Sequence, residues 1–154
     1  MEAAWNVGQI LTSLGIKSIP KTSGATGVQI IVPIQYSITF DELRTLGHFI
    51  AQYTVEKYPQ LFTIERLKKH RGNHIYFDYL QHYKGKTLAS AYTPRANKAA
   101  CVSTPLTWEE VQQNPLPSDF HLLNIKDRLL QKGDLLLSIP QQDLKPIVQQ
   151  LSKI

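Results

Sequence analysis

The sequence predicts a chain of the α+β class (mixed α/β), and three observations predict it. Apolar residues recur three and four apart near both ends and in the middle. Runs rich in β-branched and aromatic residues lie between these stripes. The two kinds of segment do not alternate as regular strand–helix–strand units, which sets a doubly wound parallel sheet aside.

The elements follow in chain order. Ala3, Ala4, Val7, Ile10, Leu11 and Leu14 make an amphipathic helix closed by Gly15. A short strand around residues 18–20 leads into the loop Lys21–Gly27, and Val28–Val32 reads as a buried strand ended by Pro33. Thr39 and Glu42 form a capping box, with Ile38 placed to staple onto Leu43, and the stripe Leu43, Leu46, Ile50, Tyr53 continues until Pro59. A short helical piece is expected over residues 64–69, a turn at Gly72-Asn73, and a strand over His74–Leu80. Gly85 marks a hairpin into a strand around residues 87–91, and a further strand is expected over residues 99–103. Thr107 and Glu110 repeat the capping-box pattern, Pro115 and Pro117 impose a loop, and Asn124 caps a helix that ends at Gly133. A final helix carries Leu144, Ile147, Val148 and Leu151 on one side.

With 154 residues the chain has the size of one ordinary domain, long enough for a real core. Its 42% hydrophobic and 19% charged content excludes a disordered tail. The single cysteine, Cys101, excludes an internal disulfide framework and fits a reducing compartment. No apolar run approaches the ~20 residues that span a bilayer, and the first residues lack a secretion signal, so a cytoplasmic domain is expected.

Charge is unevenly placed. The net charge is +5, yet Arg66, Lys68, Lys69, Arg71, Lys84, Lys86, Arg95 and Lys98 stand against one acid, Asp78, within residues 66–98. The remainder is mildly acidic. His70, His74 and His82 fall in this stretch, and Tyr76, Phe77, Tyr79, Tyr83 and Tyr92 are interleaved with it. Cations interleaved with aromatic rings suit phosphates and bases gripped together. A plain solvated face is the competing reading.

Two features could carry chemistry. In the loop Lys21-Thr22-Ser23-Gly24-Ala25-Thr26-Gly27, two glycines three apart would let backbone N–H groups point into one concavity, which hydroxyls and a lysine complete as an anion cradle; a plain hairpin loop rich in Gly, Ser and Thr is the competing reading. It is not a Walker A loop, since no Gly-Lys-Ser/Thr follows and a strand comes next. The second is Asp78, an acid in a β-rich run, expected to be half-buried and to need a cation. It pairs with Arg71 or Arg95 as a structural bridge, or it ligates a hard divalent ion. One aspartate cannot hold a two-metal site, and the chain has no Asp-x-Asp or Glu-x-Asp pair. Other chemistries fare worse: Cys101 has no CxxC partner, His70 and His74 lack an HExxH frame, there is no GxSxG elbow, and Trp5 and Trp108 read as packing residues.

Lys21–Gln29, Arg71-Gly72, Phe77-Asp78-Tyr79-Leu80-Gln81, Tyr92-Thr93-Pro94-Arg95 and Val102–Trp108, in this order and spacing, resemble the polymerase domain of bacterial ligase D, a member of the archaeo-eukaryotic primase superfamily. The resemblance runs from about Ala3 to Leu135. It implies a primase-polymerase-like mixed sheet flanked by helices, with residues 1–138 as the C-terminal part of that domain and 139–154 as a terminal helix outside it. The sheet would be incomplete because the N-terminal half, with the family's Asp-x-Asp motif and a 5′-phosphate-binding surface, is missing. The chain is then a truncation or one piece of a split protein.

The resemblance also implies roles. Ser23, Thr26 and Gln29 would face the triphosphate of an incoming nucleotide. Asp78 would be catalytic, binding metal (Mn or Mg). Arg71, Gln81 and Arg95 would line the nucleotide pocket. The family usually has His at the position of Gln29 and often Lys at that of Thr26, so weaker nucleotide affinity is expected. The implied function is metal-dependent, primer-extending nucleotidyl transfer in non-homologous end joining. Its partners would be DNA ends, nucleoside triphosphates, the N-terminal half, a ligase domain and Ku, at the bacterial nucleoid. The isolated chain is expected to be inactive. The alternative is a non-catalytic nucleic-acid or nucleotide binder using residues 66–98. A third reading is a folding remnant that associates through exposed apolar surface.

Overall fold

The first apolar stripe folds into α1 (Glu2–Ser13), which buries Ala4, Val7, Ile10 and Leu11 and ends where Gly15 turns left-handed at φ 72°. In the computed structural model the described residues run from Met1 to Leu151. They group into two compact units, Met1–Pro33 with Leu88–Gln142, and Ile34–Thr87 with the described residues from Asp143 on. Each unit mixes helix and strand, as the α+β class requires. No helix among the described residues is long and apolar enough to cross a membrane.

In the first unit, β1 (Ile19–Thr22) pairs antiparallel with β2 (Val28–Ile31), with Ile19 opposite Ile31 and Lys21 opposite Gln29. The first strand begins later and ends later than expected, so Lys21 and Thr22 are strand residues and the loop shrinks to residues 23–27. The second strand is half-buried, not buried. The capping box closes α3 (Trp108–Gln112): Thr107 Oγ1 accepts from the Glu110 amide at 3.2 Å, and the Glu110 carboxylate accepts from the Thr107 amide at 2.9 Å. Ala4, Leu106, Val111 and Phe120 form one core cluster, against which Met1, Trp5, Val28 and Trp108 pack. Trp108 lies on Gly8 of α1, where a Cβ would stand 2.4 Å from the indole ring, and its Nε1 donates to the Ser18 carbonyl. Both tryptophans are thus packing residues. Each large aliphatic buried here contributes roughly 1.5–3 kcal/mol of transfer free energy.

The expected strands over residues 87–91 and 99–103 are absent as ladders. Residues 88–91 have no regular structure, and the second segment makes single bridges, Pro94 to Val102 and Cys101 to His121. Left-handed residues Tyr92 (φ 62°) and Ala100 (φ 46°) break the pleat on either side. Asn124 precedes α4 (Ile125–Lys132) without capping it; its amide group instead donates to the Asp119 carbonyl and accepts from the His121 amide.

In the second unit, α2 (Phe40–Lys57) starts at the Thr39–Glu42 capping box and buries Leu46, Gly47, Ile50, Ala51 and Thr54. It packs against α5 (Lys145–Leu151), which contributes buried Val148, and against β3 (Phe62–Thr63). β3 pairs parallel with β4 (Ile75–Tyr76). The strand expected over 74–80 is therefore only this pair, extended by one bond from the Phe77 amide to the Thr63 carbonyl, before residues 79–82 wind into a 3-10 turn. The described strands form two separate two-stranded sheets. The helical piece expected over 64–69 is a 3-10 turn at Lys68–His70.

Candidate functional site

The residues singled out by the sequence divide between the units: Ser23, Thr26, Gln29 and Arg95 lie in the first, Arg71, Asp78 and Gln81 in the second.

In the first unit, β1 delivers Ser23 to the top of a five-residue loop. The Ser23 amide donates to the Gly27 carbonyl at 2.9 Å, and Ser23 Oγ accepts from the amides of Ala25 and Gly27, both at 3.1 Å. This alters the expected cradle. The inward amides are satisfied by the serine oxygen itself, so the loop offers the Ser23 hydroxyl proton, polarised by two accepted bonds, in place of a nest of bare N–H groups. Thr26 is exposed. Gln29 is half-buried on β2, and its Oε1 is buried without a donor among the described residues. A buried amide oxygen left unpaired costs about 1–3 kcal/mol.

Arg95 belongs to this loop. Gly24, at φ 69°, is packed so closely that an added Cβ would lie 2.5 Å from Arg95 Cγ and 3.0 Å from the Ser103 nitrogen. The Gly24 carbonyl accepts from Asn97 Nδ2 at 2.7 Å, and Asn97 Oδ1 accepts from the Cys101 amide at 3.0 Å. The Arg95 amide donates to the Cys101 carbonyl, and its half-buried guanidinium makes no ion pair among the described residues.

Beneath the loop is a buried polar layer of Lys21, Thr22, Ser103 and Thr104. Thr22 Oγ1 accepts from the Thr104 amide at 3.0 Å, and Ser103 Oγ donates to the Thr22 carbonyl at 2.9 Å. Lys21 Nζ donates to Ser103 Oγ and to the Ala89 carbonyl. The lysine expected in the anion cradle is thus turned into the protein. Burial, and then the like charge of Arg95, lower its pKa from 10.5 to about 8. Sequence reasoning misses Asn97 and Ser103; the signal for them is hydroxyl and amide side chains in a β-rich run, where apolar residues would be expected.

In the second unit, Asp78 stands two residues past β4 and is exposed, not half-buried within a strand. Its Oδ2 accepts from Gln81 Nε2 at 3.0 Å, an i to i+3 contact made possible by the 3-10 turn. Asp78 joins none of the ion pairs among the described residues. Arg71 is not its partner: Arg71 Nε and Nη2 donate to the carbonyls of Glu65 and Arg66, and the guanidinium lies 3.9 Å from the Tyr76 ring centre. His82 enters against α2 where Gly47 leaves room, with Nδ1 buried and unpartnered among the described residues. Burial lowers its pKa and the Asp78 charge partly restores it. A hard divalent ion takes six or more oxygens, several of them from protein. Among the described residues no cluster of three or more His, Cys, Asp or Glu could hold one, so Asp78 offers a single carboxylate and not a complete metal site.

The chain is thus an α+β protein with small two-stranded sheets, which carries a Ser/Gly hairpin loop clamped to an arginine segment in one unit and an exposed aspartate bonded to a glutamine in the other. The chain belongs to the LigD primase-polymerase domain family, whose model matches residues 1–136. It is 37% identical over 158 residues to the bifunctional non-homologous end joining protein LigD of Bacillus subtilis, covering 99% of this chain and 26% of that one. It is 30% identical over 135 residues to the multifunctional LigD of Mycolicibacterium smegmatis, covering 88% of this chain and 18% of that one. The solved polymerase domain of Mycobacterium tuberculosis ligase D, in complex with DNA, superposes with a TM-score of 0.81 at 27% identity, over 88% of this chain and 47% of that one. The chain thus spans about a quarter of the Bacillus relative and just under half of that polymerase domain.

Proposed function

We propose that this chain carries the triphosphate-binding part of a primer-extending nucleotidyltransferase of non-homologous end joining. In this reading residues 1–138 are the C-terminal part of the polymerase domain and the terminal helix lies outside it. The supporting observation is the Arg95 side chain, which makes no ion pair among the described residues and whose Cγ fills the space over Gly24, in the loop that carries the hydroxyls of Ser23 and Thr26. A guanidinium and a hydroxyl brought together without a carboxylate suit phosphate oxygens. Gln29 adds an amide, and Thr26 an exposed hydroxyl at the rim. In the second unit, Arg71, Asp78 and Gln81 are the nucleotide-binding residues of this reading, Asp78 being the catalytic one.

Phosphoryl transfer relies on positioning and charge stabilisation more than on covalent help from the protein. When bound, manganese or magnesium would supply charge neutralisation at the phosphates, and Asp78 would be one of its ligands. The remaining ligands would come from an Asp-x-Asp pair that this sequence does not contain, so the isolated chain is inactive. DNA ends, the N-terminal half of the domain, a ligase domain and Ku are the partners, in the bacterial cytoplasm at the nucleoid. The test is titration with ATP, read by calorimetry. Binding that Arg95→Ala weakens tenfold or more supports the reading, and wild-type protein blind to ATP refutes it.

One observation favours a second reading, a nucleic-acid binder without catalysis. None of the ion pairs among the described residues takes a cation from residues 66–98. Single-stranded DNA binding with a steep salt dependence, unaffected by Asp78→Asn and unaccompanied by ATP binding, is its signature.

A further inference from the structure

We propose that Lys21 is a proton-linked positioning residue: its amine, buried beneath the Ser23 loop, takes up a proton when a triphosphate occupies the Ser23–Arg95 site, and releases it when the site empties. The inference rests on the triphosphate reading above and extends it to a residue that does not itself touch the ligand.

The geometry carries it. Lys21 is 1% exposed, and none of the ion pairs among the described residues includes it. Its Nζ has two acceptors, Ser103 Oγ and the Ala89 carbonyl. A neutral amine has two N–H groups, and both find an acceptor here. An ammonium has three, and the third finds no acceptor among the described residues. The pocket therefore fits the neutral form as well as it fits the charged one, and a buried unpaired ammonium is costly.

The described residues around it supply no counter-charge. Across the strand pair stands Gln29; the segment bridged to β1 brings Ser103 and Pro105; residues 88–91 bring the Ala89 carbonyl. Arg95 bears on Lys21 with the same sign. Helix α3 also packs on β1, but Glu110 is held by Arg128 and Lys132, and Glu109 is exposed. Burial and Arg95 together bring Lys21 to about 8, so a modest change in local charge moves its proton. A polyanion beside Arg95 reverses the sign of the local field and favours the ammonium. Because β1 carries both Lys21 and, one residue past its end, Ser23, the amine is fixed directly under the loop it serves.

The experiment is calorimetric titration with ATP at about pH 8.5, in two buffers of different ionisation enthalpy, where the nucleotide itself is fully deprotonated. The wild-type chain is expected to take up a fraction of a proton per ATP, and its affinity to fall about tenfold between pH 7 and pH 10. Lys21→Met should bind more weakly at neutral pH, with neither proton uptake nor the alkaline loss. Lys21→Arg, permanently charged, should keep affinity without uptake. Wild-type binding of ATP with no uptake and no alkaline loss overturns the inference and leaves the triphosphate reading standing. No binding of ATP at any pH overturns both.

Discussion

Gly24 and Arg95 are in direct contact: the glycine's missing Cβ is the space through which Arg95 Cγ passes. With φ at 69° and backbone atoms of Val102 and Ser103 within 3.2 Å of the same space, the position excludes every L side chain. Gly24→Ala is expected to cost about 2 kcal/mol or more, from left-handed strain together with the displaced arginine. Chemical denaturation measures the loss, and ATP titration of the folded fraction should show a fall in affinity similar to that of Arg95→Ala. Normal affinity in a merely destabilised protein would sever the link between the contact and the site.

Asn97 makes a gentler version of the same test. Its side chain ties the Gly24 carbonyl to the Cys101 amide, and both groups would lose a partner in Asn97→Ala. The expected destabilisation is about 1–2 kcal/mol. Asn97→Asp keeps the acceptor for Cys101 but not the donor for Gly24, and it introduces an acid next to Arg95 in sequence space. Its ATP affinity should therefore fall further than its stability.

The contacts that the sequence reveals are local ones. Thr39 with Glu42 and Thr107 with Glu110 are each complete within one helical turn, so their residue types suffice to locate α2 and α3, and both boxes form. Asp78 was misplaced for the opposite reason. Its β-rich neighbours, Ile75 to Tyr79, have strand propensity, but β3 has only two residues to pair with them, and strand length is set by the partner. The burial of Lys21 was equally hidden. It depends on Ala89 and Ser103, more than sixty positions away, and nothing in a Lys-Thr-Ser-Gly string says which way the amine turns. The loop, Arg95 and the Asp78–Gln81 pair are legible as residue types; the Asn97 clamp that ties the Arg95 segment to the loop is not.

Arg128 grips Glu110 with both guanidinium nitrogens, at 2.6 and 2.7 Å, and Lys132 adds a third contact at 3.0 Å. Burial alone would raise the Glu110 pKa, but the bonds from Arg128, the Thr107 amide and Lys132 outweigh it and lower the value to about 2. A depressed carboxylate stabilises the fold above its unfolded value of 4.5, and that contribution disappears as pH falls from 4.5 towards 2. Glu110→Gln, which can still serve the capping box, should cost about 1–3 kcal/mol at neutral pH and flatten the acid limb of a stability–pH curve in this window. An unchanged acid limb would mean that the pair is not formed in solution.

Asp78→Asn separates fold from chemistry. The side chain is exposed and its one bond comes from Gln81, which can rotate its amide to accept from asparagine instead. Stability should change by less than about 0.5 kcal/mol, while primer extension should be lost in a chimera that joins this chain to the remainder of the Mycobacterium tuberculosis polymerase domain. A chimera that extends primers equally well with aspartate or asparagine at this position removes Asp78 from the catalytic set.

Lys21 gives the alkaline counterpart of Glu110, with the sign reversed. Its folded pKa, about 8, lies below the unfolded 10.5, so between these values the unfolded chain binds more protons and stability rises with pH. The gain is at most about 3 kcal/mol across the window, and below pH 8 the folded state carries the full cost of a buried charge. Lys21→Met removes that cost but leaves Ser103 Oγ and the Ala89 carbonyl without their donor, so the two effects oppose each other near neutral pH. The net change there should be small, and the variant should lose its relative stability steadily as pH climbs from 8 to 10.5. Denaturant midpoints at a series of pH values measure this directly. A variant that tracks wild type in parallel through the window would show that Lys21 does not change its protonation on folding, and the proton-linked role would fall with it.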